Sequence, residues 1–287
     1  MYPLGEFIKM GKEIPDTKDI IEGLLSEGGD IFAIGGRPGI GKSWLLRQMA
    51  LCLSLGKDFL GCHTKKCLMG IVAFEEPMHK IASKLEMARD KHFQGGDMFI
   101  VKQRPIWINT PEGSQYLLEL FTGMKAENPT LKVIGLDPWK YLVKGIDKQG
   151  SVLDVLANLK IIQEKIGISF VITHHLTQQD KRYRLDKPDV FSLKGFNDLA
   201  ETAETVVVLE RGTQERVGQG IDSTRRVLYL VKERNEFVYT EKQIIFKDAL
   251  LYVIPEDAYH SQSYQEAKAW IENNPERASE IMRRGTP

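Results

Sequence analysis

Apolar residues in this chain come in short blocks separated by amphipathic stretches, and the two patterns alternate for most of its length. The blocks Ile31–Gly35, Leu68–Phe74, Met98–Lys102, Lys132–Leu136, Ile168–Thr173, Val206–Glu210 and Val227–Lys232 predict strands. Apolar residues at helical spacing predict helices over Ser43–Leu55 (Leu45, Leu46, Met49, Ala50, Leu53), Met78–Arg89, Pro111–Glu127 and Ser151–Ile166. Gly56 and Gly167 stop the first and the last of these. Strand and helix in alternation predict an α/β fold: a mostly parallel sheet covered by helices on both faces. After Lys232 the pattern changes. Gln243–Phe246 and Ala249–Ile254 flank Lys247-Asp248 and predict an antiparallel hairpin at the sheet edge. Residues 211 to 225 are polar and glycine-rich, a loop pattern. Ser263–Arg284 is charged and helical in tendency, divided by Pro275, and predicts a surface appendage.

Between the first strand and the first helix stands Gly36-Arg37-Pro38-Gly39-Ile40-Gly41-Lys42-Ser43, a complete G-x-x-x-x-G-K-S loop followed by Trp44. Strand, loop and helix are the context this motif requires. Its glycines let successive N–H groups converge on an anion, and the helix N-terminus adds partial positive charge. Lys42 supplies a point charge for the outer phosphates, and the Ser43 hydroxyl suits Mg²⁺. The reading is a nucleoside triphosphate site.

Composition narrows the partners. The chain has 287 residues, 42% of them hydrophobic, enough for one large core, and Lys+Arg equals Asp+Glu at 39 each. No global field draws it to a polyanion, so any such contact is local. No apolar run approaches the roughly 18 residues of a membrane span, and the N-terminus lacks a signal-peptide layout, which together predict a cytoplasmic protein. Three cysteines, Cys52, Cys62 and Cys67, suit a reducing compartment. Cys62-His63-x-x-x-Cys67 offers three metal ligands without a fourth nearby, so thiols in a turn are the preferred reading.

Triphosphate hydrolysis needs a carboxylate in the metal's shell and a second to orient water, both at the C-terminal edge of the sheet. Lys132-Val133-Ile134-Gly135-Leu136-Asp137 is an apolar strand ending in an acid, a Walker B pattern that assigns Asp137 to the metal beside Ser43. Pro138 occupies the place where many such enzymes carry the catalytic glutamate. The strand Leu68–Phe74 ends instead in Glu75-Glu76-Pro77. Adjacent carboxylates on an extended chain point to opposite faces, so one of them faces the phosphates. Glu75 is the expected base, with Glu76 in reserve.

In this order of motifs the chain resembles the hexameric RecA-like ATPases, the group of plasmid RepA-type replicative helicases and, more distantly, DnaB, KaiC and RadA. The resemblance covers roughly residues 18 to 255. It begins at Ile20-Ile21-Glu22-Gly23-Leu24-Leu25, similar to the family's lead-in hairpin, and leaves 1–17 as an arm and 256–287 as a C-terminal helical appendage. It implies a RecA-like P-loop core using ATP and Mg²⁺. Phe170-Val171-Ile172-Thr173-His174-His175 matches the family's sensor strand, with His175 as the sensor. Val231-Lys232-Glu233-Arg234-Asn235 matches the K-x-R motif, which implies that Lys232 and Arg234 reach the γ-phosphate of a neighbouring subunit. The family's DNA loops correspond to about Lys140–Ser151 and Thr177–Phe191. The second holds Lys181, Arg182, Tyr183 and Arg184 with Lys187, cations around an aromatic suited to phosphates and a stacked base. The resemblance thus implies a homo-hexameric ring that translocates on single-stranded DNA as a replicative helicase of plasmid or phage type, with replication proteins as further partners. Two other members of the group set alternatives: a recombination or annealing ATPase, and a KaiC-like regulatory ATPase acting through protein partners. The chain departs from bacterial replicative helicases in having only about thirty residues before the phosphate loop, too few for an N-terminal domain.

Overall fold

All seven apolar blocks are strands of one sheet. The computed structural model describes residues 18–144, 149–175, 197–211, 216–217, 220–221, 225–233, 240–247 and 250–253, with isolated positions 3, 4, 6 and 9. In chain order the strands are β1 (Asp19–Ile21), β2 (Leu25–Ser26), β3 (Ile31–Gly36), β4 (Leu68–Ala73), β5 (Phe99–Lys102), β6 (Leu131–Asp137), β7 (Ser169–His175), β8 (Thr205–Arg211), β9 (Arg216–Val217), β10 (Gly220–Ile221), β11 (Arg225–Glu233), β12 (Thr240–Lys247) and β13 (Leu250–Val253). The helices are α1 (Lys42–Leu55), α2 (Met78–His92), α3 (Pro111–Glu127), α4 (Gln149–Ile166) and α5 (Asn197–Thr202), with a 3₁₀ turn at Trp139–Tyr141. The nine-stranded sheet has the order β13-β12-β11-β8-β3-β7-β6-β4-β5. β5, β4, β6, β7, β3 and β8 run parallel. β1 and β2 pair as the expected lead-in hairpin.

One boundary differs from the sequence pattern. β11 is already antiparallel to β8, and β12 and β13 continue that way. The parallel part therefore ends one strand earlier than the hairpin signal indicates, because apolar patterning marks a strand but carries no direction.

Period-two alternation on the central strands builds two cores. Ile31, Ala33, Ile134, Leu136, Phe170 and Ile172 face α3, α4 and α5, where Leu117, Phe121, Val155 and Leu159 meet them. Phe32, Ile34, Val133 and Val171 face Leu45, Leu46 and Met49 of α1 and Ile20 and Ile21 of the lead-in hairpin. Among the described residues no helix is long and apolar enough to cross a membrane.

Local chemistry explains the helix ends. α3 starts where predicted because the Thr110 hydroxyl accepts from the Gly113 N–H at 3.2 Å, with Pro111 at the first helical position. A Cβ on Gly113 would lie 2.1 Å from the Trp107 carbonyl oxygen, so the incoming segment folds tightly over the helix start. That segment is bonded to the turn after β6: the N–H of Ile106 donates to the Tyr141 carbonyl at 3.0 Å, and that of Ile108 to Leu142 at 2.8 Å. Trp139 is fully buried beneath them. Cys52 and Cys67 are buried, Cys62 is half-buried, and none is in a disulfide. His63 faces Asp58, Nδ1 to Oδ1 2.9 Å.

Candidate nucleotide site

The phosphate loop connects β3 to α1 at the C-terminal edge of the parallel strands. Gly41 caps α1 at φ 120°, a conformation that L side chains rarely adopt. Lys42 is buried, and its ammonium folds back onto the loop, donating to the carbonyls of Gly36 (2.8 Å) and Arg37 (3.0 Å). The same nitrogen lies 3.3 Å from His175 Nδ1. Burial pushes the Lys42 ammonium down to about 8, against the pull of Asp137, Glu75 and Glu210. A desolvated cation held only by carbonyls and an imidazole at the mouth of a helix is an anion site.

Loop flanks come from the antiparallel side. Arg226 Nε of β11 donates to the Ile40 carbonyl at 2.9 Å, and Arg37 Nε lies 3.6 Å from Glu210 Oε2 at the end of β8.

Asp137 ends β6 and is buried; the Thr173 hydroxyl donates to its Oδ1 at 2.6 Å. Thr173 escapes the sequence reading, although an acid at a strand end beside a hydroxyl two residues before His175 is a legible pairing. One Asp137 oxygen is thereby oriented while the carboxylate keeps acceptor capacity. With the Ser43 hydroxyl at the start of α1, this is an all-oxygen donor set that fits Mg²⁺, whose shell is completed by water and phosphate.

His175 ends β7, and its register partner on β3 is Gly36. Burial, then the Lys42 and Lys140 charges, lowers its pKa, so it is neutral at pH 7 and can accept from Lys42. Its neighbour His174 is buried.

The adjacent acids lie in the bend after β4, just beyond the strand, and take different partners. Glu75 makes an ion pair with Lys140 and accepts from the Tyr141 hydroxyl at 3.2 Å. Burial raises its pKa, but the Lys140 and Tyr141 bonds outweigh that and hold it below the usual carboxylate range. Glu76 turns the other way, toward Arg47 Nη2 of α1 at 2.6 Å, and is also paired with Lys84 of α2. Arg47 is invisible in the sequence as a site residue, since it reads as an ordinary helix position, and Lys140 and Tyr141 read only as the start of a DNA loop.

Lys232 is held within its own chain. It is buried, and its ammonium donates to the carbonyls of Ala200 (3.2 Å) and Glu201 (2.7 Å) in α5 of its own chain. A register shift between Leu230 and Lys232 accompanies this orientation. Burial lowers its pKa. To meet a neighbour's phosphate it would have to abandon both carbonyls. Arg234, Lys181, Arg182, Tyr183, Arg184 and Lys187 lie outside the described residues.

Residues 4–181 match the family model of the AAA domain. Among solved structures, the chain is similar to a DnaB-like replicative helicase described with its interactions with primase, at TM-score 0.64 and 12% identity over 88% of this chain and 66% of that one. The chain thus spans just under two thirds of that helicase's length. It is also similar to a second solved structure, that of an ATPase domain, at TM-score 0.60 and 12% identity over 86% of this chain and 95% of that one. At this identity the likeness is one of fold alone, a RecA-like α/β core. No curated protein matches.

Proposed function

The chain belongs to the AAA-domain family, and from that premise we propose that it is an Mg²⁺-dependent ATPase that assembles as a homo-hexameric ring and moves on single-stranded DNA as a replicative helicase. The observation that carries the hydrolytic part is the convergence of Lys42, Asp137, Glu75 and His175 at one edge of the sheet. Lys42 is the cation for the outer phosphates. Ser43 and Asp137 hold the metal, with Thr173 orienting Asp137. Bound Mg²⁺ would offset charge on the phosphate oxygens. Glu75, ionised at neutral pH, accepts a proton from the attacking water through Oε2, since Lys140 and Tyr141 both engage Oε1. His175, neutral and against Lys42, registers whether that lysine is on the loop carbonyls or on a phosphate.

Glu75→Gln is the direct test. The amide cannot take the proton, so ATP affinity is expected to persist while turnover falls roughly 10²- to 10⁴-fold. Because the wild-type carboxyl titrates below its ordinary range, its acid limb should lie below that range as well. Wild-type turnover in Glu75→Gln would remove Glu75 from the mechanism.

Motor function rests on the fold likeness and on the basic-aromatic loop. Replacing Lys181, Arg182 and Arg184 by Ala should weaken single-stranded DNA binding and reduce the slope of log affinity on log salt by about 0.7 for each lost phosphate contact, with basal ATPase retained. Salt titrations of a labelled oligonucleotide read this out. An unchanged affinity would favour a regulatory ATPase that acts through protein partners.

A further inference from the structure

Both neighbours of Glu75 are tied down, and in opposite directions. On one side, the Phe74 N–H donates to the Asp137 carbonyl at 3.0 Å, and the Phe74 carbonyl accepts from Lys102. On the other side, Glu76 is bound by Arg47 and Lys84. Arg47 is 2% exposed and lies on α1, the helix that the phosphate loop opens, so it is fixed relative to Lys42 and Ser43. Trp44, one residue after Ser43, underlies both cations: the Arg47 guanidinium lies 5.6 Å and the Lys84 ammonium 5.5 Å from its ring centroid. Arg47 Nη1 is buried with no hydrogen-bond partner among the described residues. Burying a cation with its head only partly satisfied is costly, and a well-packed apolar pair would serve stability at least as well. The arrangement needs a reason other than stability.

We infer that Glu76 is a positioning residue: through Arg47 it locks the turn after β4 to the phosphate-loop helix and so holds the Glu75 carboxylate at a fixed place relative to the bound phosphates. The inference rests on the reading of Glu75 as the base. Covalent adjacency does the geometric work: Glu75 and Glu76 are neighbours in the short bend between β4 and α2, so anchoring the Glu76 head to α1 limits where the bend, and with it the Glu75 carboxylate, can lie. Misplacing a reacting group by about 1 Å can cost on the order of 10²-fold in rate. Glu76 touches neither water nor phosphate in this scheme.

The test is the double variant Arg47→Met/Glu76→Leu, which replaces the ion pair by apolar side chains and so keeps the fold, with Glu76→Gln and Glu76→Asp beside it. Turnover of the double variant and of Glu76→Gln should fall roughly 10- to 100-fold with ATP affinity and melting temperature near wild type. Glu76→Asp, which keeps the charge for Arg47, should recover part of the loss. Wild-type turnover in a folded double variant or in Glu76→Gln, or a loss of ATP affinity matching the loss of turnover, would overturn the inference. Glu75→Gln separates the two readings: if it is inactive while the Glu76 variants are fully active, Glu75 stands and the anchor falls. If Glu75→Gln is active, the base assignment falls first.

Discussion

Arg234→Ala is expected to bind ATP as the wild type does and to lose hydrolysis by roughly 10³- to 10⁵-fold, the contribution of a guanidinium that stabilises charge on a transferring phosphoryl group. The direction of β11 supports a role between subunits. The strand is antiparallel to β8 and ends at Glu233, whose partner is Thr205; Thr205 in turn pairs with Phe32, four residues before Gly36 on β3. At about 3.3 Å per residue, the strand that delivers Arg234 ends about 13 Å along the sheet from the phosphate loop, toward the opposite edge. Mixing tests the role between subunits. Arg234→Ala and Glu75→Gln subunits, each inactive alone, should recover part of the ATPase when co-assembled, because some interfaces then pair an intact base with an intact finger. Absence of recovery, or full activity of Arg234→Ala alone, would rule out the shared site.

Lys42→Ala is expected to abolish tight triphosphate binding and leave the fold intact, since the lysine's partners are loop carbonyls and its burial opposes its charge. The proton balance gives an independent check. With the ammonium pushed down to about 8 from the ordinary 10.5, the unfolded chain binds more protons than the folded one between those values. The Lys42 contribution therefore makes the empty protein gain stability as pH rises through that window. Phosphate oxygens beside Lys42 restore the charged form, so ATP binding near pH 8 should take up about half a proton at this group. Calorimetry in buffers of different ionisation enthalpy should show that uptake near pH 8 and a much smaller one at this group near pH 7, where Lys42 is already mostly charged in the empty protein. Tight ATP binding by Lys42→Ala would refute the phosphate-loop assignment.

Features encoded by local pattern were legible in the sequence. The phosphate loop, the acid ending β6 and the bounds of α3 depend on residues within one turn or strand, and Thr110-Pro111 alone fixes where α3 begins. The two adjacent acids at the tip of β4 were legible as a pair. Their partners were not legible, because Arg47 on the second turn of α1 and Lys140 after β6 are both distant in sequence. Lys232 shows the same limit. Spacing put it on one face with Arg234, but a register irregularity and the α5 carbonyls, both tertiary, decide where its ammonium goes. The antiparallel entry of β11 was equally hidden, since strand direction is set by connection and pairing rather than by composition.

The close approach of Gly113 to the Trp107 carbonyl sets how much change the chain can tolerate well away from any phosphate. Any side chain there pushes on Trp107, which stands between Ile106 and Ile108, and these two hold Tyr141 and Leu142 in place through their N–H groups. Tyr141 and its neighbour Lys140 are the partners of Glu75. A methyl group added at the first turn of α3 would therefore be transmitted by contact to Glu75, the base proposed above. Position 113 is thus constrained for the sake of chemistry it never touches, and an exchange there would be felt as lost turnover rather than as a lost ligand.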